Sequence, residues 1–362
     1  MATVTFQNVS LQFGADRVVD DVSLEVHDGE LLAIVGSSGA GKSSLLRMAA
    51  GLQPLTDGDV LIDGQSMADV ETARRNIAMV FQDNVLYPFM TVRENVSFPL
   101  EIAHEDAAEI DRRVNAEARV LAIEQLLDSL PSKLSAGHQQ LAQAARAMVR
   151  VPDVFLMDEP LSRLDQHLRG KMRRELRLIQ QGYGVTTLFV TNDQADAMAI
   201  ADRIAVMEGG RLHQVGHPLE VYRNPATTAV AAVIGSPPMN LILATVVAGS
   251  PGFWLEIGAS RLRAWPEALE AWVGRSVLVG IRPNAVAVDE GGTVSGSVEH
   301  VEFQGSHCYL FVDLDGTDDT IEVRHDDPGG RDDPAVRLAV RSFSLFDPQT
   351  GRRLTPSSGP AS

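Results

Sequence analysis

Gly36-Ser37-Ser38-Gly39-Ala40-Gly41-Lys42-Ser43 fits G-x-x-x-x-G-K-[ST], the pattern of a phosphate-binding loop, and it is the most informative segment of the sequence. The apolar run before it, at residues 31–35, predicts a buried strand. Residues 44–50 after it predict a helix. A strand, a glycine loop and a helix in this order are the context that the motif requires. A glycine-rich turn that binds nothing is the alternative.

The chemistry of such a loop follows from its backbone. Glycines let the chain wrap closely around phosphate groups, and the helix that follows presents its positive end to the anion. We expect Lys42 to contact the β- and γ-phosphates and Ser43 to hold Mg²⁺. The residues predicted to contact the nucleotide are Gly36, Ser37, Ser38, Gly39, Ala40, Gly41, Lys42, Ser43 and Ser44.

Composition limits the classes of protein to consider. The chain has 362 residues, enough for two domains, and a formal net charge of −17, which argues against a nucleic-acid binder. Cys308 is the only cysteine, so no internal disulfide forms. Residues 2–30 lack the apolar core of a signal peptide, and no apolar run approaches the ~18 residues of a membrane span.

Strand and helix patterns alternate along the first part of the chain, which predicts an α/β core. Further apolar runs at 154–157 and 185–190 predict buried strands, whereas the period is helical from about residue 88 to 150 and indicates an insert. A turn-forming segment at 235–238 marks a candidate boundary, so the predicted domains are 1–235 and 236–362. Short strands with Gly and Pro turns follow it and predict a small β-barrel or sandwich.

A second chemical motif is Val154-Phe155-Leu156-Met157-Asp158-Glu159-Pro160, which places two carboxylates at the end of a predicted buried strand. In a phosphate-loop ATPase, Asp158 binds Mg²⁺ and Glu159 acts as general base on the attacking water. Alone, this pattern is often only the start of a helix. Downstream of a phosphate loop it favours the metal site and the base.

A third segment, Phe81-Gln82-Asp83-Asn84 followed by residues 86–88 and 90–96, matches the Q-loop of ABC transporters. The chain resembles the nucleotide-binding subunit of such a transporter, and more narrowly the ATPase of maltose-type sugar importers, over nearly all its length. The resemblance implies an ABC ATPase domain followed by an OB-like domain that aids dimerisation and can receive regulatory signals. It also implies that Gln82 contacts Mg²⁺ and the attacking water. The segment after Gln82 is expected to dock a membrane subunit.

Further matches assign other residues. Segments 234–240, 280–283 and 345–351 resemble landmarks of the family's C-terminal domain. Asp165 lies in a segment that resembles the D-loop, which reaches the partner subunit, although it could equally be a plain helix N-cap. Phe13 stands where the family has an aromatic that stacks on adenine, and the alternative is a core position.

Two motifs depart from the family pattern. The signature L-S-G-G-Q reads Leu134-Ser135-Ala136-Gly137-His138, and its Ser135, Gly137 and His138 are expected to face the ATP of the partner subunit. We expect Ser135 to cap the helix, and Ala136 to resist a positive φ angle. The switch motif V-T-H-D-Q has Asn192 in place of histidine, and an amide donates a hydrogen bond but carries no charge.

The resemblance implies an ATP-binding and ATP-hydrolysing subunit, with Mg²⁺, that energises a membrane importer of sugars or sugar derivatives. Its implied partners are a second ATPase subunit (identical or different), two transmembrane permease subunits and, through them, an extracytoplasmic solute-binding protein. The implied location is the cytoplasmic face of the membrane. One alternative is a regulatory subunit with weakened hydrolysis. Another, a soluble ATPase acting on DNA or ribosomes, is disfavoured by the acidic charge and the Q-loop segment.

Overall fold

The computed structural model describes residues 2–83, 85–264, 267–327 and 334–354. Asn84 of the predicted Q-loop, and residues 355–362 of the predicted second domain, lie outside these ranges. The chain divides into two compact units, Met1–Pro218 and Leu219–Ser362. The boundary predicted between residues 235 and 236 falls inside the second unit and stays a prediction.

The first unit is a mixed α/β structure. Its strands are β1 (Val4–Phe13), β2 (Asp16–Val26), β3 (Leu31–Val35), β4 (Asp57–Ile62), β5 (Gln65–Ser66), β6 (Ile77–Val80), β7 (Val154–Asp158), β8 (Thr186–Thr191), β9 (Arg203–Glu208) and β10 (Arg211–Gly216). Its helices are α1 (Lys42–Ala49), α2 (Val92–Ile102), α3 (Ala107–Val120), α4 (Ala136–Met148), α5 (Gln166–Tyr183) and α6 (Gln194–Ile200).

Two sheets organise this unit. The order β2-β1-β4-β5 forms an antiparallel sheet, and β10-β9-β3-β8-β7-β6 forms a sheet in which only β10 runs antiparallel to its neighbour. Every residue of β3, β7 and β8 is buried. Parallel strands covered on both faces read as continuous apolar runs, which is why the sequence predicted these three strands correctly.

The parallel arrangement decides where chemistry gathers. The carboxyl ends of β3, β7 and β8 meet at one edge of the sheet, and the segment after β6 begins at the same edge. In open α/β sheets this edge holds the ligand. The loop after β3, the acidic pair ending β7 and the switch residues after β8 are therefore brought together.

Helices α2, α3 and α4 occupy most of the stretch from 88 to 150, where the helical period was predicted. Helix α2 begins with a capping box, in which Thr91 and Glu94 satisfy each other's backbone N–H groups. Asn95 is fully buried and donates to the carbonyl oxygens of Tyr87, Met90 and Thr91, at 3.0–3.1 Å. These contacts fix the segment between the sheet edge and α2.

The second unit is mainly antiparallel β structure. Its helices are α7 (Pro218–Arg223) and α8 (Thr228–Val233), and its strands are β11 (Asn240–Ala248), β12 (Phe253–Ile257), β13 (Ser260–Ala264), β14 (Ser276–Ile281), β15 (Val286–Val288), β16 (Val294–Phe303), β17 (Cys308–Leu314), β18 (Thr320–His325), β19 (Ala335–Val340) and β20 (Ser344–Phe346).

These strands form two five-stranded sheets, β13-β12-β11-β14-β20 and β15-β19-β16-β17-β18, around a shared apolar core. The side chain of Asn240 pairs with the backbone of Glu322 through two hydrogen bonds of 2.9 Å, which ties β11 to the edge strand β18. These two bonds partly cover the outer edge of β18, which has no neighbouring strand in its sheet among the described residues. The small β domain expected from the turn-rich sequence is confirmed.

Candidate nucleotide-binding site

The glycine loop lies between β3 and α1, as the motif predicted. A Cβ atom at Gly36 would come within 1.9 Å of the carbonyl oxygen of Met207, and one at Gly41 within 2.5 Å of that of Val18. Gly41 also has a φ of +92°, a region that L-residues rarely adopt. Both positions therefore require glycine. Residues 37–39 form the exposed tip of the loop, and Ser43 and Ser44 lie in the first turn of α1.

Lys42 is folded back onto its own loop. It is 4% exposed, and its Nζ donates hydrogen bonds to the carbonyl oxygens of Gly36 (3.1 Å) and Ser37 (2.7 Å). Burial lowers the pKa of Lys42, while nearby carboxylates, Glu159 first among them, oppose this shift. The loop thus holds a buried ammonium group whose present partners are neutral carbonyls that phosphate oxygens can replace.

Glu208 is a member of this site that the sequence reasoning missed. It ends β9, the neighbour of β3, and its carboxylate accepts hydrogen bonds from Ser37 Oγ (2.7 Å) and from the Ser37 backbone N–H (3.2 Å). These bonds fix the outer side of the loop. An acidic residue ending the apolar run 204–207, before two glycines, is the signal that could have found it.

Asp158, the last residue of β7, lies directly against the start of α1. It is 2% exposed, and its Oδ1 accepts a hydrogen bond of 2.6 Å from Ser43 Oγ. Arg47 Nη2 lies 3.9 Å from Oδ2 of the same carboxylate. The two residues predicted to hold Mg²⁺ through the loop and the acidic strand are therefore adjacent.

Glu159 is the meeting point of the three predicted catalytic residues. One carboxylate oxygen accepts a hydrogen bond from Gln82 Nε2 at 3.1 Å, and the other accepts one from Asn192 Nδ2. Glu159 has a φ of +47°, an uncommon conformation for a residue with a side chain, and its backbone N–H bonds to the carbonyl oxygen of Val190 at 2.9 Å. Strained residues of this kind cluster at functional sites, so the geometry favours a reactive role for this carboxylate.

Asn192 is held in place by its neighbours in the chain. Asp193 caps α6 by accepting a hydrogen bond of 2.8 Å from the N–H of Ala195, and it pairs with Arg169 at 2.5 Å. Strand β8 ends at Thr191, whose hydroxyl accepts from the Asp193 N–H at 3.0 Å. The amide is thus held between a buried strand and a capped helix.

The signature residues lie at the start of α4. Ser135 caps this helix, as expected, by accepting a hydrogen bond of 3.3 Å from the N–H of His138. Ala136 is the first residue of α4 and has the right-handed conformation of that helix, which is consistent with a residue that resists a positive φ angle. Gly137 is buried, and a Cβ there would come within 3.0 Å of Leu168. Within the described residues, no hydrogen bond joins these positions to the phosphate loop of the same chain.

Asp165 caps α5, since its Oδ1 accepts from the N–H of Leu168 at 2.9 Å, and the N-cap interpretation is confirmed. Its contact with a partner subunit stays a prediction. Phe13 ends β1 at a hairpin and is 53% exposed, so the core alternative is wrong. An exposed ring at this position is free to stack on a base.

This arrangement defines a phosphate-loop ATPase: a glycine loop and lysine after one strand, a buried aspartate ending another, and a glutamate held by two amides. Three protein-family models match the chain and support its assignment to the phosphate-loop ATPases. The one described as "ABC transporter" matches residues 19–162, "MalK OB fold domain" matches 235–286 and "TOBE domain" matches 279–341.

Curated relatives align over nearly the whole chain. The sn-glycerol-3-phosphate import ATP-binding protein UgpC of Ruegeria sp. (strain TM1040) is 43% identical over 98% of this chain and 99% of its own length. The lactose transport ATP-binding protein LacK of Rhizobium radiobacter is 41% identical over 98% of this chain and all of its own. A solved dimer of the ATP-binding cassette MJ0796, bound to ADP and Pi, matches with a TM-score of 0.53 and 29% identity, covering 59% of this chain and 98% of that one.

The chain therefore belongs to the family of ABC transporter ATP-binding subunits, with an OB-fold and TOBE domain after the ATPase domain. Within residues 2–83, 85–264, 267–327 and 334–354, no helix combines the length and the apolar character that a membrane crossing needs.

Proposed function

We propose that this chain hydrolyses ATP to drive the import of a small solute, a sugar or a sugar derivative such as a glycerol phosphate. The observation that carries the proposal is that Lys42 and Ser43 lie on one loop, that Asp158 accepts a hydrogen bond from Ser43, and that the hydrogen-bonded Glu159 is close enough to Lys42 to interact with its charge. Curated relatives named for glycerol 3-phosphate import and lactose transport support the solute class.

The residues divide the chemistry of hydrolysis between them. Glu159 acts as the general base that takes a proton from the attacking water. Gln82 and Asn192 each donate a hydrogen bond to one oxygen of this carboxylate and so hold it in position. Lys42 exchanges its carbonyl partners for phosphate oxygens and stabilises negative charge that develops on the transferred phosphoryl group.

The residues near Ser43 fit a magnesium ion. A hydroxyl, a buried carboxylate and a side-chain amide are hard oxygen ligands, and Mg²⁺ in such sites takes one or two carboxylates with phosphates and waters. Ser43, Asp158 and Gln82 would hold it. When bound, the ion neutralises phosphate charge.

Two ATPase subunits are needed to complete each site. Ser135, Gly137 and His138 make no hydrogen bond to their own phosphate loop within the described part, and we assign them to the ATP of a second subunit, identical or homologous. Asp165 and Phe13 belong to the same proposal, the first at the subunit boundary and the second on adenine. The solved relative in a dimeric state bound to ADP and Pi supports this assembly.

A groove beside the Q-loop offers a docking surface for a permease subunit. Its cavity of about 440 Å³ is lined by Tyr87, Phe98, Ile102 and Arg146, and Ile102 is 65% exposed. Arg146 lies 5.5 Å from the centre of the Tyr87 ring and donates to the Val85 carbonyl oxygen at 2.8 Å. We propose that a short apolar segment of the permease fills this groove, and that its docking changes the position of Gln82.

Docking of this kind would place the chain at the cytoplasmic face of the membrane, with two permease subunits and an extracytoplasmic binding protein in the complex. No nucleic acid is proposed as a partner, since the chain carries a net charge of −17.

A second candidate is a nucleotide-binding subunit with slow hydrolysis. Asn192 favours slow hydrolysis, because its amide already bonds to Glu159. Compared with the histidine of the family pattern, it carries no positive charge and extends less far toward the phosphate. The altered signature also favours this candidate, because Ala136 and His138 replace a glycine and a glutamine of the family pattern at positions expected to face the ATP of the partner subunit.

One experiment tests the proposed hydrolysis and import. The complex is purified through a tag on this chain, reconstituted in liposomes, and its ATP turnover is measured with its binding protein and either glycerol 3-phosphate or lactose. The proposal expects turnover that rises with one of these solutes and disappears in Glu159→Gln. Absence of membrane subunits from the complex, or turnover indifferent to both solutes and to Glu159→Gln, would contradict it.

A further inference from the structure

A basic cavity lies wholly within the second unit, and none of its described lining residues belongs to the nucleotide site. Its volume is about 540 Å³, within the range of small-molecule sites. Helix α7, the end of β14 and the segment before β20 contribute its walls. Four arginines line it, with no Asp or Glu among its described lining residues: Arg223, Arg282, Arg341 and Arg353.

This concentration of positive charge is unusual for the chain. The whole molecule carries a net charge of −17, yet the cavity wall carries four guanidinium groups and no carboxylate. In the part of the chain that the structure describes, none of the four arginines forms an ion pair. A local positive field of this kind attracts anions.

Arg282 supplies a second, independent observation. It is 7% exposed, and its Nη atoms donate to the carbonyl oxygens of Ala231, Ile234 and Tyr222. Its Nε is buried and has no hydrogen-bond partner among the described residues. Burial lowers the pKa of Arg282 to about 10, so the group remains charged at neutral pH.

Arg353 resembles Arg282 in having a buried Nε atom. Its Nη1 donates to Asn224 Oδ1 at 3.1 Å, while its buried Nε also lacks a partner within the described residues. Buried charges without counter-ions are costly, and an anion in the cavity would offset that cost. Polar groups that can complete the coordination of an oxyanion also line the space: Asn284, Ser342 and Ser344.

We propose that this cavity binds a phosphate group, either inorganic phosphate or the phosphate of a small monoester. Guanidinium groups match the geometry of phosphate oxygens in paired hydrogen bonds, which favours this class over a monovalent anion. The cavity is larger than a single phosphate ion, so it leaves room for the organic part of a small ester. A purely structural role of Arg282, joining the carbonyls that end α7 and α8, predicts no ligand.

The test uses the full-length chain saturated with Mg²⁺ and a non-hydrolysable ATP analogue, so that the phosphate loop is occupied. Titration calorimetry then measures binding of inorganic phosphate, glycerol 3-phosphate and glycerol. The proposal expects binding of at least one phosphate compound and none of glycerol. Tighter binding of glycerol 3-phosphate would identify an ester as the ligand, and equal or weaker binding would identify phosphate itself.

The pocket variant is Arg223→Gln with Arg341→Gln, because both side chains are exposed and form no hydrogen bond within the described residues. The matched control is Arg275→Gln with Arg337→Gln, which removes the same charge from exposed positions outside the cavity. Losing charged hydrogen bonds should weaken phosphate binding by about tenfold or more in the pocket variant only. Thermal melting without ligand checks that both variants fold, and Arg341→Gln alone gives a smaller loss if the double variant is unstable.

Lys42→Ala, measured without the analogue, separates the two phosphate sites. Binding that survives Lys42→Ala and falls in the pocket variant supports the proposal. Phosphate binding that is absent from the wild type at millimolar concentration, or unchanged in the pocket variant, would overturn it.

Discussion

Replacing Asn192 tests how the amide that bonds to Glu159 affects the rate of ATP hydrolysis. Its amide donates a hydrogen bond to one oxygen of Glu159, and Gln82 donates to the other. Asn192→Ala removes one of these two donors and leaves the strand and helix that flank it intact. Asn192→His restores the residue that the family pattern carries at this position.

The magnitude follows from the type of bond that is lost. A hydrogen bond to a charged group is worth about 1.5–3 kcal/mol, and the lower end applies because Asn192 is exposed and Glu159 partly so. We therefore expect Asn192→Ala to lower kcat about tenfold with little change in KM. An imidazole that also reaches the phosphate should raise kcat above the wild type by as much as about 10²-fold, the order seen for a transition-state donor.

The assay is steady-state ATP hydrolysis by the complex purified through a tag on this chain, at saturating Mg²⁺ and ATP. Asn115→Ala is the matched control, because it removes the same amide from α3, where its partner is Arg93. Rapid wild-type turnover that neither Ala nor His at position 192 alters would refute the role given to this amide.

Three further predictions rest on other parts of the structure. Glu117 is buried and its pKa is raised by burial to about 7, so its protonated form contributes stability that is present below pH 4.5 and lost as the pH rises through 7. Glu117→Gln should therefore raise the free energy of unfolding, measured by urea titration, by up to about 3 kcal/mol at pH 8.5 and by little at pH 5. An equal effect at both pH values would contradict this. Phe13→Ala should weaken ATP binding about tenfold while leaving inorganic triphosphate unaffected in calorimetry, because base stacking is worth about 1–3 kcal/mol; equal losses for both ligands would exclude stacking. Gly36→Ala should lower the free energy of unfolding by about 1–3 kcal/mol, seen as a lower melting temperature, because its Cβ would lie 1.9 Å from the Met207 carbonyl oxygen. Gly182→Ala, where a Cβ would have nothing within 4 Å, should leave the melting temperature unchanged or raise it.

The sequence predicted the parts of this protein that depend on local patterns. Strands β3, β7 and β8 were recognisable because buried parallel strands are continuous apolar runs. The phosphate loop and the acidic pair at 158 and 159 were recognisable because their chemistry restricts residue type and spacing. Helix caps at Ser135 and Asp165 follow the same local rule.

Contacts between distant segments could not be predicted in this way. The bond between Ser37 and Glu208 joins residues 171 positions apart, and β9 itself went unpredicted. The buried Glu117 bonds to Tyr183, which the periodicity of α3 and α5 does not indicate. The arginines of the basic cavity come from segments as far apart as 223 and 353, so only the fold brings them together.

Lys42 is the residue proposed to hold the phosphates of ATP on the glycine loop. This role is tested by calorimetric binding of ATP with Mg²⁺ to the isolated full-length chain, compared among wild type, Lys42→Ala and the exposed-lysine control Lys171→Ala. The structure predicts that Lys42→Ala weakens ATP binding by about tenfold to a hundredfold while Lys171→Ala binds as the wild type does. No binding by the wild type, or equal affinity in all three proteins, would contradict this role of Lys42.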